Sequence, residues 1–256
     1  MNGFVGRPTL FEDFQRDGYV AVDPFFSETE ISGLNSEIAR YIRDVVPQMP
    51  ASEVYYEDKI DKSTLKQIQR MFEYDAFFED LMLKGPPRRI AEAVLGEPAV
   101  PVNMQYFNKP PGIGQATPPH QDGYYFHLSP CKAVTGWLAL EPVDEENGCI
   151  HYVRGSQKAA GFRAHGQTGV LGFSQGIIDF GTDEDRAGTV SFPGRAGTFL
   201  MHDAKTIHWA GANTSRTRSR RAIGFIYYAK SARIDAAAKE AYQERLDAQL
   251  RAAEKI

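Results

Sequence analysis

The side chains in this chain best suited to chemistry are His120 and Asp122, in the stretch "PPHQDGYYF". In an extended segment, side chains two positions apart leave the same face, so the imidazole and the carboxylate converge while Gln121 points away. Six histidines and 33 acidic residues are spread over 256 positions, so chance alone supplies about one such pair, and the pair by itself is weak. It makes two thirds of the two-histidine, one-carboxylate set of non-haem Fe(II) oxygenases, and the same donors also suit zinc. A third ligand must then come from a distant histidine. His202 and His208, in "FLMHDAKTIHWAGANTSRTRSRRAIGF", are the candidates.

Beyond His208, Arg220 opens the run "RAIGFIYY". If that run alternates as a strand, Arg220, Ala222 and Gly224 share one face, and Arg221, Ile223 and Phe225 take the other. Two very small side chains leave a hole beside the guanidinium. An inward arginine without an anion is costly to bury, so an organic acid is expected next to it. Of the other histidines, His202 reads as a supporting or core residue and His151 and His165 as surface or loop. His127 is a candidate substrate contact, and Tyr124, Tyr125 and Phe126 read as wall.

The elements that must position these groups fall into three stretches. Residues 1–98 read as mostly helical with one early strand, "GYVAVDPFF". "TLFE" (Thr9, Glu12) and "SETE" (Ser27, Glu30) have the form of capping boxes. After the second, Ile31, Leu34, Ile38, Tyr41, Ile42 and Val45 make an apolar stripe at helical spacing. Residues 75–83 and 87–95 predict further helices, the second stopped near Gly96. From Ala99 to about residue 230, short β-branched and aromatic runs are punctuated by Gly, Pro, Asn and Asp, as in a double-sheet jelly roll. Residues 231–256 return to helix, with Ile234, Ala238, Tyr242, Leu246 and Leu250 every fourth position, a stripe that would dock on the body or on a second subunit. The fold class expected is mainly β with flanking helices, in one domain spanning residues 1–256.

Composition narrows the function. A net charge of −4 gives no electrostatic reason to expect nucleic acid or an acidic membrane surface. "RTRSRR" at 216–221 reads as a solvated turn. No run approaches the roughly 20 apolar residues of a membrane span. Cys131 and Cys149 are too few for a disulfide scaffold, and two reduced thiols fit a cytoplasmic protein.

Several spaced segments together resemble the phytanoyl-CoA dioxygenase type of iron and 2-oxoglutarate dioxygenase. The order His120-x-Asp122, then His208, then Arg220 is similar. So are "QYFNKPPGIGQATPPHQDGYYF", "GWLALEPVDEENGCIHYVRGSQK" and "HWAGANTSRTRSRRAI". The likeness runs from about residue 99 to 230, with a weaker match at "GYVAVDPFFSETEI". It implies a cupin-like jelly roll in which His120, Asp122 and His208 hold Fe(II). It also implies that Arg220 grips the far carboxylate of 2-oxoglutarate, with Gln105, Trp137 and Lys66 as further cosubstrate contacts. Dioxygen would be consumed, succinate and CO2 released, and an aliphatic carbon of a small organic metabolite hydroxylated.

The sequence departs from the family pattern in three places. Arg220 lies one residue further from His208 than expected, which makes Arg218 and Arg221 alternatives. Ala210 stands where a serine often assists the cosubstrate, and "VRGSQ" replaces "PGSH". Asp122 itself is kept; family members that halogenate carry a small residue there, so hydroxylation is the expected chemistry. The competing readings are a zinc-binding jelly roll, hydrolytic or non-catalytic, and a binding module with a vestigial pocket. Residues 47–62 and 159–186 are the segments expected to close the site.

Overall fold

The computed structural model describes residues 8–170, 173–241 and 244. Helix α1 (Pro8–Asp17) leads through Gly18 into strand β1 (Tyr19–Val22). Gly18 adopts φ +84°, and a β-carbon there would strike the side chains of Gln157 and Thr206. Because α1 already includes Pro8, Thr9 lies within the helix and does not cap it, contrary to the expected Thr9–Glu12 box; proline's fixed φ suits a first turn. The second box is present. Ser27 caps α2 (Glu28–Asp44), accepting from the Glu30 amide, while the Glu30 carboxylate accepts from the Ser27 amide at 2.8 Å. The stripe buries Ile31, Leu34, Ile38 and Tyr41.

The next stretch corrects the helical reading of residues 1–98. Strands β2 (Val54–Tyr56) and β3 (Leu65–Ile68) lie where the sequence shows a polar segment. They form because β4 (Ala99–Lys109) offers an edge, with Gln67 opposite Phe107 and Ile68 opposite Tyr106. Tertiary pairing overrides weak local preference here. Between them α3 (Ala76–Lys84) starts at the cap Asp75, and α4 (Pro86–Leu95) ends at Gly96 with φ +70°.

The remaining strands build two facing sheets. After β4 come β5 (Thr117–His120), the short helix α5 (Gly123–Phe126), β6 (Leu128–Ser129), β7 (Ala133–Ala139) and β8 (Ile150–Val153). A hairpin, β9 (His165–Val170) with β10 (Phe173–Ile177), and helix α6 (Asp183–Gly188) follow. Then come β11 (Thr189–Phe192), β12 (Phe199–Asp203), β13 (His208–Ala210), β14 (Arg220–Ala229) and β15 (Arg233–Ile234). The larger sheet is ordered β1-β12-β7-β14-β4-β3-β2 and the smaller β11-β8-β13-β5. All pairings are antiparallel, and the two sheets make a jelly roll.

Alternation on β14 sorts its side chains as the sequence predicts. Ile223, Phe225 and Tyr227 join the core beneath the N-terminal helices, while Ala222 packs between the sheets with Trp137, Ile150, Tyr152 and Leu200. At the C-terminus the expected helix is shortened. Arg233 and Ile234 pair with β6, and helix begins only at residue 236. Ile234 is 57% exposed and Ala238 is exposed; Tyr242, Leu246 and Leu250 lie outside the described residues.

Candidate active site

The site lies between the two sheets. His120 ends β5 and His208 begins β13, directly opposite it in register, with ring centroids 4.1 Å apart. The extended geometry expected for His120-x-Asp122 is not what brings its two groups together. Asp122 has helical backbone angles at the start of α5, and Gln121 is buried, donating to the Lys205 carbonyl and accepting from the Arg163 amide. The turn into α5 swings the carboxylate under both imidazoles. Its Oδ1 lies 3.5 Å from His120 Nε2 and 3.7 Å from His208 Nε2. One donor atom from each of the three lies within 4.8 Å of the others.

The surroundings set the protonation such a site needs. His120 Nδ1 is 2.8 Å from the Pro118 carbonyl and His208 Nδ1 3.0 Å from the Thr206 carbonyl, which commits each Nδ1–H and turns each Nε2 inward. Burial, then repulsion from His202 and His120, holds His208 well below the ordinary imidazole range, so it is neutral. Burial alone would raise Asp122. The surrounding imidazoles of His208, His120 and His202 outweigh it and keep the carboxyl well below the usual range. Two neutral imidazoles and a carboxylate are the form in which these residues could hold a divalent cation.

Asp122 is also held from behind. Thr135 on β7 donates to Oδ2 at 2.6 Å, and His202 Nε2 stands 3.2 Å from the same oxygen. His202 Nδ1 in turn meets the Tyr152 hydroxyl at 2.9 Å. His202 is thus a supporting residue, as expected; Thr135 and Tyr152 were not anticipated, because only strand register brings them to Asp122.

The seven residues expected to hold metal or cosubstrate line one cavity of about 290 Å³: His120, Asp122, His208, Arg220, Gln105, Trp137 and Lys66. Gly224 on β14 is flanked by Gln105 on β4 and Trp137 on β7, one row across three strands, with Arg220 on the same face. Arg220 is buried, its guanidinium carbon 5.6 Å from the Trp137 ring centroid, and its Nε has no hydrogen-bond partner. Burial lowers it to about 10. The alternatives are engaged elsewhere: Arg221 bonds Glu141 at 3.0 Å, and Arg218 pairs with Asp144 and Glu146. Gln105 accepts from Gln67 at 2.8 Å, and Lys66 pairs with Glu57 at 3.2 Å.

Lys109 was missed. It sits opposite Arg220 on β4, buried, bonded to the carbonyls of Ala210 and Gly211, and it lines the same cavity. Burial, then repulsion from Arg220 and Lys66, lowers it to about 6. It lies within the quoted "NKPP", but nothing local to that motif tells that its strand partner is Arg220.

Other expectations need revising. His151 is on β8 and His165 on β9, both half-buried, not in surface loops. His165 stacks on Tyr124 at 4.0 Å. His127 does not line the cavity, whereas Tyr125 and Phe126 do. Glu57, from the first expected closing segment, lines it; no described residue of 159–186 does, since that segment forms the β9–β10 hairpin and α6.

The family model for phytanoyl-CoA dioxygenase (PhyH) matches residues 14–222. A Caenorhabditis elegans phytanoyl-CoA dioxygenase domain-containing protein 1 homolog is 27% identical over 249 residues, covering 80% of this chain and 85% of that protein. A probable alpha-ketoglutarate-dependent hypophosphite dioxygenase of Stutzerimonas stutzeri is 24% identical, covering 82% and 76%. Among solved structures, EctD from S. alaskensis with bound Fe superposes with a TM-score of 0.74 at 18% identity, covering 92% of this chain and 81% of that one. Fold and cavity define a jelly-roll oxygenase of the 2-oxoglutarate-dependent class, working with Fe(II), 2-oxoglutarate and dioxygen. The chain belongs to the phytanoyl-CoA dioxygenase family.

Proposed function

We propose that His120, Asp122 and His208 hold the Fe(II), and that Arg220, with Gln105, Trp137 and Lys66 around it, holds 2-oxoglutarate. In this reading the enzyme hydroxylates an aliphatic carbon of a small polar metabolite. The observation that carries the reading is the Arg220 guanidinium, buried with an unpartnered Nε in the cavity that His120, Asp122 and His208 also line. A hydrolytic or structural zinc site has no use for a buried cation placed to grip a diacid.

The chain's own groups do the positioning. Trp137 and Gln105 would wall the cosubstrate on either side of Gly224, whose missing side chain is covered by the Phe107 ring, another wall of the same cavity. Arg220 would receive the far carboxylate in a two-pronged hydrogen bond, and Lys109 adds positive charge beside it. The bound iron would supply dioxygen activation coupled to decarboxylation of 2-oxoglutarate to succinate. Thr135 and His202 hold Asp122 Oδ2, which leaves Oδ1, beside the Nε2 atoms of His120 and His208, as the oxygen that would bind the ion.

The amides of Gln67, Gln69, Asn108 and Gln115 share the cavity lining, and its 290 Å³ must also take the cosubstrate. Both features favour a small hydrogen-bonding substrate over a long acyl chain. Cavity residues come from 57–69 as well as 105–226, so we read the chain as one catalytic domain. Free Cys131 and Cys149 fit a reducing, cytoplasmic setting. No helix among the described residues is long and apolar enough to cross a membrane.

Anaerobic addition of Fe(II) and 2-oxoglutarate should produce a weak visible charge-transfer band that needs both. Polar metabolites can then be screened for stimulated succinate release. Absence of the band with both present, at concentrations that saturate related oxygenases, would sink the reading.

A further inference from the structure

A second set of metal-binding side chains stands behind the first, on the outer side of the smaller sheet. On β8, Ile150 and Tyr152 pack between the sheets, so His151 falls on the opposite side, and the buried Cys149, immediately before the strand, brings its sulfur near it. Glu145 reaches them from the preceding turn, its Oε2 3.2 Å from His151 Nε2. One nitrogen, one sulfur and one oxygen from His151, Cys149 and Glu145 lie within 4.8 Å of one another.

The turn that presents Glu145 is firmly built. Asp144 Oδ1 accepts from the amides of Glu146 and Asn147, and the buried Asn147 side chain donates to the carbonyls of Pro142 and Ser219. His151 Nδ1 is a buried atom with no hydrogen-bond partner. Its ring stacks on Trp209, centroids 5.0 Å apart and planes 11° from parallel.

We propose that Glu145, Cys149 and His151 form a second metal site, for a thiophilic divalent cation of the zinc class. A thiolate, a carboxylate and a neutral imidazole balance a charge of +2, and water completes a tetrahedron. The Glu145 side chain is 64% exposed and gives the ion a way in. Burial, then the charge of Glu145, pushes the Cys149 thiol up to about 12, so the ion must displace its proton. Per ion bound, one S–H bond breaks, one sulfur–metal bond forms, and one H⁺ leaves to solvent. No oxidant or reductant is needed. The ligand chemistry differs from that of the site between the sheets, which contains no sulfur, so the two can be told apart by spectroscopy.

The test is a Co(II) titration of the metal-stripped full-length chain. Two equivalents should bind. One should bring a near-ultraviolet thiolate-to-cobalt charge-transfer band and release of one proton. Cys149→Ser should lose the band and keep the other equivalent, whereas His208→Ala should lose the other equivalent and keep the band. Glu145→Gln changes an exposed position that no core packing depends on, and should weaken the thiolate-bound equivalent about tenfold. Cobalt binding without the band, a band that survives Cys149→Ser and so comes from Cys131, or an unchanged affinity in Glu145→Gln would each overturn the proposal. Failure of the site between the sheets would show as the opposite pattern, a band with only one equivalent bound.

Discussion

Asp122 uses its two oxygens differently: Oδ1 faces the histidine Nε2 atoms, and Oδ2 is fixed by Thr135 and His202. Thr135→Val removes one of those bonds without touching a proposed ligand. It should weaken Fe(II) binding about ten- to a hundredfold, measurable by anaerobic titration, while Asp122→Ala should abolish the visible band. Lys109 gives a prediction with a sign. Held at about 6, below its ordinary value near 10.4, it is neutral at pH 7.5 in the unliganded protein. A bound dianion favours the ammonium form and raises that value, so binding takes up a proton. Affinity for 2-oxoglutarate should therefore improve as pH falls toward 6 and level off below it. Calorimetry in buffers of different ionisation enthalpy should show the proton uptake at pH 7.5, and Lys109→Met should remove it.

At the scale of elements, the cosubstrate pocket is a property of one strand, β14, and its two neighbours. Gly224 sits between Gln105 and Trp137, and a β-carbon there would come within 2.8 Å of the Phe107 ring. Gly224→Val must displace the Phe107 ring, which lines the cavity proposed for 2-oxoglutarate, and should raise its KM at least about tenfold with the metal still bound; an unchanged KM would move the cosubstrate elsewhere. Helix α2 offers a separate check on how local signals act. Ser27→Ala breaks the capping box and should cost about 1 kcal/mol of stability, read by denaturant titration, with KM values unchanged. That box, the helix near residues 75–83 and the stop at Gly96 were legible because each depends on residues a few positions apart. The β2–β3 strands were not, since their pairing partner lies some forty residues away on β4.

Across the whole molecule, the sheets meet around buried histidines, the Asp122 carboxylate and the Arg220 guanidinium, and such charges are costly to bury without counter-ions. Filling the site should therefore stabilise the fold. Mn(II) at about a hundred times its dissociation constant should add about 2.7 kcal/mol, a Tm rise of roughly 5–10 °C that Asp122→Ala loses. The sequence alone pointed to the residues proposed as donors, the alternation that turns Arg220 inward, and the broad succession of N-terminal helices and a later run of strands, because these depend on residue type and short-range periodicity. Only the tertiary structure decided that Asp122 reaches the histidines through a helical turn, and that Thr135, Tyr152 and His202 line up behind it. It alone placed Lys109 beside Arg220 and set Glu145, Cys149 and His151 together on the outer face. Those meetings depend on strand register and on backbone folding between residues far apart in the chain, which no local pattern encodes.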